Sequence, residues 1–233
     1  MMISVMGDSI STFESFNPEG YSVFYDIQMQ YINDLTSVND TWWAQVIQAL
    51  HGELCVNNSY SGSKVSGESF PSACSAERCG SLHTPQVSPD IILIYMGFND
   101  FGNGVPIHGK LFSFKRDPAF FADAYDCMLD RLRKNYPEAK IVYATLMRTA
   151  IGASDWPFPE TYAGVPFDAY NNAIRNIRQK ENCYLADINL LNLRYETRDG
   201  SHPTKLGHTI LADAWIRSLE QLGAFTQVLQ INM

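Results

Sequence analysis

Residues 3–11 read Ile3-Ser4-Val5-Met6-Gly7-Asp8-Ser9-Ile10-Ser11, a short apolar run that ends abruptly in small and polar residues. An apolar run of this length, rich in β-branched residues, is typical of a strand that is buried on both faces. Gly7 permits a tight backbone turn where the strand leaves the core. We therefore expect Ser9 to lie at the carboxyl end of a buried strand, among the backbone N–H groups of the turn that follows.

Four further apolar runs repeat this pattern and predict strands at residues 53–56, 91–96, 140–146 and 183–188. Stretches with apolar residues three and four positions apart predict helices at 41–50, 120–136, 168–180 and 204–222. The first of these follows Asp40, a candidate N-cap. Because strands and helices alternate, the sequence predicts an α/β protein, in which a five-stranded parallel sheet lies between two helix layers.

The chain of 233 residues contains no internal repeat, low-complexity tract or polar linker, which predicts a single domain over residues 1–233. Its net charge of -8 would repel phosphate backbones, so we expect no nucleic-acid partner. No apolar run approaches the roughly 20 residues that span a bilayer. The N-terminus lacks the basic and apolar regions of a signal peptide. A cytoplasmic location is therefore expected, with a signal removed from a longer precursor as the alternative.

The five cysteines are odd in number and irregularly spaced, which is typical of free thiols rather than of a disulfide framework. Cys74 and Cys79 are close enough in sequence to share a metal ion. However, no second Cys/His pair accompanies them, and a structural metal site usually needs four ligands. We therefore predict neither a metal nor a cofactor.

Polar segments follow three of the predicted strands, and ligands of parallel sheets bind at the carboxyl ends of strands. The segments begin at Gly7, Asn57 and Gly97, and a fourth polar segment, residues 199–203, precedes the last helix. Each segment alone has an ordinary explanation: Gly-Asp-Ser is usually a turn, and Asn-Asp commonly caps a helix. All four nevertheless fall at strand ends or in the last loop, in an order compatible with one site.

The residues in these segments are those that acyl transfer requires. A serine hydroxyl is a poor nucleophile unless a base takes its proton, and His202 is the natural base for Ser9. Asp199, three residues earlier, is suited to orient His202 and to stabilise its imidazolium. The Ser9 N–H, the Gly62 N–H and the Asn99 side-chain amide are the candidate donors to the developing oxyanion.

Two alternatives to this catalytic set are weaker. His208 follows His202 by six residues on the predicted last helix, but it has no carboxylate at a suitable spacing and is the second-choice base. The Gly-x-Ser-x-Gly elbow of α/β-hydrolases is absent from the sequence.

The chain resembles the SGNH, or GDSL-type, hydrolase family over residues 7–203. The resemblance is carried by four separated blocks: Gly7-Asp8-Ser9, Gly62, Gly97-Phe98-Asn99-Asp100 and Asp199-Gly200-Ser201-His202-Pro203. It implies Ser9 as nucleophile and Asp199 and His202 as the other triad members. The first block departs modestly from the family pattern, since Ile10-Ser11 follow the serine. The family also implies a flavodoxin-like, three-layer α/β/α fold and metal-independent hydrolysis of a broad range of acyl esters.

Two insertions, residues 13–40 and 148–167, are rich in aromatic side chains. We expect both at the catalytic rim, as a lid or binding wall. The alternative is an aromatic cluster that covers the sheet edge or forms a subunit interface. Aromatic walls suit sugar rings as well as acyl chains, so acetylated carbohydrates are attractive substrates.

The leading hypothesis is a serine esterase that acts on a small-molecule ester with a short acyl chain. A lysophospholipase, a thioesterase or an acyltransferase would use the same triad. A non-catalytic ligand-binding domain of the same fold is the alternative from another class, and a missing triad member would be its signature. No triad member is missing.

Overall fold

The computed structural model describes residues 1–109, 116–152 and 158–225. Strands and helices alternate along this part of the chain in the order β1 (Met2–Gly7), α1 (Ile27–Ile32), α2 (Trp42–Ala49), β2 (Glu53–Asn57), α3 (Ala76–Gly80), β3 (Ile91–Tyr95), α4 (Phe98–Gly102), α5 (Phe121–Asn135), β4 (Lys140–Ala144), β5 (Arg148–Ile151), α6 (Phe167–Arg175), β6 (Cys183–Ala186), β7 (Arg194–Thr197) and α7 (Lys205–Gln221).

Five of the strands form one parallel sheet in the order β2-β1-β3-β4-β6. This is the strand order of flavodoxin-like folds. Helices α2 and α7 pack against each other in one layer, and α3, α5 and α6 pack together in another. The predicted three-layer α/β/α sandwich is therefore confirmed, and each of the five predicted strands belongs to its sheet.

The central strands are the ones that are fully buried. All of β3 and all but the first residue of β1 are buried, as their largely apolar sequences predict. The expectation of full burial is wrong for β2 and β6, because both lie at the edges of the sheet and are only partly covered.

The fourth strand ends at Ala144, two residues earlier than predicted. The backbone of Leu146 is instead paired with the Asn171 side-chain amide of α6, which donates to its carbonyl at 3.0 Å and accepts from its N–H at 2.7 Å. The Asn171 amide thus makes the two backbone hydrogen bonds that a neighbouring strand would otherwise make with Leu146. Strand β6, predicted over residues 183–188, ends at Ala186, before a short 3₁₀ turn over Ile188–Leu191.

The four predicted helices are α2, α5, α6 and α7, with differences at their ends. The prediction that Asp40 caps α2 is wrong: Thr41 is the N-cap, and its hydroxyl accepts from the Ala44 N–H. The Asp40 carboxylate accepts instead from the N–H groups of Thr36 and Ser37. Helix α6 ends five residues earlier than predicted, at Arg175, whose guanidinium is bound by Asp187.

Strands β5 and β7 form a second, two-stranded parallel sheet that the sequence did not reveal. The loop that follows β7 carries His202, and hydrogen bonds join this loop to both strands of the small sheet. The Thr149 hydroxyl donates to the Gly200 carbonyl at 2.7 Å, and the Thr204 N–H donates to the Glu196 carbonyl. The two hydrogen bonds thus hold the last polar segment on this small sheet.

All five cysteines are free. Over the described ranges, no helix is both long enough and apolar enough to cross a membrane.

Candidate active site

Ser9 lies directly after β1, in a 3₁₀ turn over Ser9–Ser11, as predicted. The turn is capped by the Asp8 carboxylate, which accepts from the Ile10 N–H at 3.0 Å. Gly7 is needed for space and not for an unusual backbone angle, because a Cβ atom there would lie 2.4 Å from the Cβ of Ser11. The close approach of the strand end and the turn thus explains the glycine.

The structure brings Ser9, His202 and Asp199 into one hydrogen-bonded chain. The Nε2 atom of His202 lies 2.8 Å from the Oγ of Ser9, and its Nδ1 atom lies 2.6 Å from Asp199 Oδ2. A carboxylate can only accept, so Nδ1 carries the proton and Nε2 is free to accept from the serine hydroxyl. This is the arrangement in which a histidine can take a proton from serine.

Asp199 is held as an anion by its own loop. Its partial burial opposes ionisation, but hydrogen bonds from the His202 side chain and from the backbone of His202 and Ser201 lower the pKa of Asp199 to about 2. The carboxylate is therefore ionised throughout the neutral range and fixes the tautomer of His202.

Asn99 stands in the first turn of α4, on the same rim as Ser9. Gly7 of β1 pairs with Tyr95 of β3, so the two strands end side by side and their following loops adjoin. The Asn99 amide donates one hydrogen to the Ser63 carbonyl at 3.0 Å. Since an amide nitrogen carries two hydrogens, the second remains for a ligand.

Gly62 occupies an exposed turn with a φ of 79°, a conformation that favours glycine. It does not line the cavity around Ser9, but the bond between Ser63 and Asn99 ties its turn to the rim. Among the described residues, neither the Ser9 N–H nor the Gly62 N–H has a protein acceptor. Both donors are thus unpaired, and of the three residues Ser9 and Asn99 line the cavity while Gly62 does not.

The cavity beside Ser9 has a volume of about 250 Å³. Its walls carry four aromatic side chains in addition to the polar residues named above: Phe98, Phe101, Phe158 and Tyr162. A smaller cavity of about 100 Å³ adjoins Asp199 and shares Phe158, Tyr162 and Gly200 with the first. The insertion 148–167 therefore contributes walls to the site; its Trp156 lies outside the described residues.

Some aromatic residues of the insertion 13–40 contact the site, and others pack elsewhere. Phe24 stacks on the imidazole of His202, with ring centroids 3.4 Å apart. Phe16 instead packs against Phe13 and Trp43, and Tyr21 packs against Tyr60 and Phe70. Part of this insertion thus packs on aromatic residues outside the site, and part reaches His202.

His208 lies in the core and away from the cavity. It is fully buried, and its Nδ1 accepts from the Trp42 N–H at 3.2 Å. Burial lowers the pKa of His208 to about 3, so it is neutral under ordinary conditions. Of the two histidines considered from the sequence, only His202 is within hydrogen-bonding distance of Ser9.

Arg78 is a residue of the site region that the sequence did not single out. It lies in the short helix α3 and is fully buried, and its guanidinium donates to the carbonyl oxygens of Gly7, Asn58 and Pro71 and to the Asn58 side chain. These bonds join the strand end before Ser9 to the loop that leads to Gly62. An arginine in a five-residue helix carries no sequence signal for such a role.

Asp100 makes a similar connection from α4. Its buried carboxylate accepts from the N–H groups of Val65 at 2.7 Å and Ser66 at 3.0 Å. Burial raises the pKa of Asp100, which these two bonds oppose. The loop after Gly62 is therefore held against α4, the helix that carries Asn99.

Comparison with known proteins shows the family of the chain. The model of the GDSL-like lipase/acylhydrolase family matches residues 1–151. The chain is 25% identical over 142 residues to a multidomain esterase from Ruminococcus flavefaciens; the match covers 60% of this chain and 17% of that protein. The chain thus spans less than a fifth of the length of this curated relative.

Two solved structures share the fold. A GDSL-like lipase from Bacteroides ovatus superposes with a TM-score of 0.71 at 24% identity, covering 94% of this chain and 98% of that one. A family two carbohydrate esterase from Clostridium thermocellum, solved with cellohexaose, superposes with a TM-score of 0.58 at 16% identity, covering 96% and 65%. Because the family model matches well over half of its residues, the chain belongs to the GDSL-like lipase/acylhydrolase family.

Proposed function

We propose that this chain hydrolyses carboxylic esters with Ser9 as nucleophile, His202 as general base and Asp199 as the residue that orients His202. The observation that carries this proposal is the unbroken hydrogen-bonded chain from Ser9 Oγ through both imidazole nitrogens to Asp199. Family membership supports the same reaction.

In this mechanism the Ser9 oxygen attacks the ester carbonyl while its proton passes to Nε2 of His202. Asp199 stabilises the imidazolium that forms, without itself taking the proton. The tetrahedral intermediate collapses when His202 returns the proton to the leaving alcohol, and water then releases the acyl group from Ser9 by the same steps.

The oxyanion of the intermediate needs donors that already point at it. We propose the Ser9 N–H, the Gly62 N–H and the second hydrogen of the Asn99 amide for this role. The bond from Asn99 to the Ser63 carbonyl supports it, because it fixes the amide before substrate arrives.

For the substrate, we propose an ester of a short acyl chain on a carbohydrate. The cavity of about 250 Å³ lies just below the range of about 300–1,000 Å³ that is usual for ligand pockets, which favours a short acyl group. Tyr162 borders both cavities and is 60% exposed, so its ring offers a flat surface to a sugar. The carbohydrate esterase from C. thermocellum lends support to this substrate class.

The test compares wild type with Ser9→Ala on p-nitrophenyl acetate and on an acetylated xylo-oligosaccharide. We expect wild type to release acetate from both, and Ser9→Ala to lose turnover by about 10⁴-fold or more with an unchanged circular dichroism spectrum. Covalent labelling of wild type by a fluorophosphonate distinguishes an activated serine from a ligand-binding domain. Equal activity of the two proteins, or no labelling of Ser9, would contradict the proposal.

Acyl transfer to an acceptor other than water would use the same residues. Product analysis separates the two reactions: hydrolysis yields free acetate in an amount equal to the alcohol released. A shortfall of acetate that appears when a sugar or alcohol acceptor is added would favour transfer.

A further inference from the structure

The ring of Phe24 lies flat on the imidazole of His202. The two planes are inclined by 9° and their centroids are 3.4 Å apart. The edges of the same imidazole are bound by Ser9 and Asp199, so these three contacts together define both the position and the plane of the ring. Phe24 is not part of any segment that carries the family resemblance.

The backbone of Phe24 is connected directly to the turn that carries Ser9. The Phe24 N–H donates to the Thr12 hydroxyl at 2.9 Å, and this hydroxyl donates to the Ser9 carbonyl at 2.9 Å. One buried hydroxyl thus links the nucleophile turn to the residue that covers the histidine.

The next residue, Tyr25, binds the histidine loop from the other side. It is fully buried, and its hydroxyl donates to the Pro203 carbonyl at 2.8 Å. Its ring also meets the imidazole of His202 edge-on, with centroids 6.5 Å apart. Residues 24 and 25 therefore join the two segments that must stay aligned for proton transfer.

The stack also affects the charge that His202 acquires. The face of an aromatic ring carries negative charge density, so it attracts a cation placed over it. When His202 takes the proton of Ser9 it becomes an imidazolium directly over the Phe24 face. The other titratable groups that act on His202 are Asp199 at Nδ1, the buried Asp8, the edge of Tyr25 and the neutral His208. Of these groups, Tyr25 is the one whose ring also touches Phe24, with ring centroids 4.9 Å apart.

We propose that Phe24 is a positioning residue for ester hydrolysis, which holds the His202 imidazole in the plane that joins Ser9 to Asp199 and stabilises its protonated form. This inference rests on the proposed function, since it assigns a partner to the proposed base.

The experiment measures kcat and KM for p-nitrophenyl acetate between pH 5 and 9 in wild type, Phe24→Leu and Phe24→Tyr. For Phe24→Leu we expect kcat to fall by about tenfold or more with KM within about twofold, because misplacement of a catalytic group costs rate rather than binding. We also expect the midpoint of the acid limb of kcat/KM to move down by about 0.5 pH unit, because the cation loses the ring face. Phe24→Tyr keeps the ring and should restore both quantities.

Phe16→Leu is the matched control, since it removes an aromatic ring of the same insertion that packs on Phe13 and Trp43 and not on His202. It should leave both kcat and the acid limb unchanged. If Phe24→Leu does not fold by circular dichroism, Phe24→Met provides a second non-aromatic side chain of similar size.

Wild-type kcat and an unmoved acid limb in the non-aromatic variants would overturn the inference. So would an equal loss of kcat in Phe24→Tyr and Phe24→Leu without any shift of the acid limb, which indicates packing alone. Failure of the proposed function is a separate result: wild type would then neither turn over the ester nor be labelled by a fluorophosphonate, and the inference would fall with it.

Discussion

The buried guanidinium of Arg78 donates to the carbonyl oxygen of Gly7 at 3.0 Å, two residues before Ser9. The same guanidinium donates to the carbonyl and the side chain of Asn58, at the start of the loop that leads to Gly62. Burial lowers the pKa of Arg78 to about 10, so the group is still charged at neutral pH. One cation surrounded by oxygen acceptors thus connects the nucleophile strand with the loop of a proposed oxyanion donor.

Arg78→Met should therefore destabilise the protein and reduce activity together. The substitution leaves the carbonyl and side-chain oxygens of Asn58 without donors, and each such group costs about 1–3 kcal/mol, while the Gly7 carbonyl keeps the Tyr60 N–H. We expect a loss of about 3 kcal/mol or more in the free energy of unfolding, measured by urea titration. Arg133→Met is the control, because Arg133 makes an ion pair with the exposed Glu181 and such pairs contribute about 0–1 kcal/mol. Equal stability of the two variants would contradict this account of Arg78.

Asn99→Ala should lower kcat by about 10²–10³-fold, the usual cost of losing one oxyanion donor, with a smaller change in KM. The measurement is steady-state hydrolysis of p-nitrophenyl acetate. Asn176→Ala removes an exposed asparagine at the end of α6 and should behave as wild type. A change confined to KM would show that Asn99 contributes to ground-state binding and not to the oxyanion.

Tyr162→Ala should discriminate between substrates. If the exposed ring supports a sugar, its loss raises KM for an acetylated xylo-oligosaccharide by about 2–10-fold, the range expected from the energy of one aromatic contact. KM for p-nitrophenyl acetate, which has no sugar, should change little. Tyr31→Ala, at a position 84% exposed on α1, is the control. An equal effect on both substrates would argue against a carbohydrate platform.

Two buried groups give opposite pH dependences of stability. Burial raises the pKa of Asp8 from 3.8 to about 6, so between these values the folded state binds more protons and stability from Asp8 falls as pH rises. Burial lowers the pKa of His208 from 6.5 to about 3, so there the unfolded state binds more protons and stability from His208 is lost as pH falls.

The contributions of Asp8 and His208 to the pH dependence of the free energy of unfolding should largely cancel between about pH 4 and 6. Substitution of one residue should reveal the contribution of the other. Asp8→Asn should lose stability more steeply than wild type as pH falls from 6.5 to 4, by up to about 1.4 kcal/mol per pH unit. His208→Gln should show the opposite trend, with stability rising as pH falls over this range. Urea unfolding at pH 4.5, 5.5, 6.5 and 7.5 provides the test. Parallel curves for all three proteins would contradict these protonation states.

Much of the architecture could be predicted from periodicity alone. The predicted strands are mostly apolar runs, and the central ones need no polar face because they are buried between helix layers. What periodicity could not show is the pairing of β5 with β7, since four-residue strands are too short for a pattern and their partner is distant in sequence. Periodicity also could not predict where strands end. Strand β4 ends at Ala144, and the Asn171 side chain of α6 is hydrogen-bonded to the backbone of Leu146 that follows.

The candidate site divides in the same way. The residue types at the strand ends could be predicted from local spacing alone, which places Ser9 after β1, Asn99 after β3 and Asp199 three residues before His202. The folded chain was needed to show that His202 reaches Ser9 across 193 residues, that Phe24 covers its face and that Arg78 joins two loops. These contacts depend on how segments distant in sequence pack together, and patterns of neighbouring residues do not predict such packing.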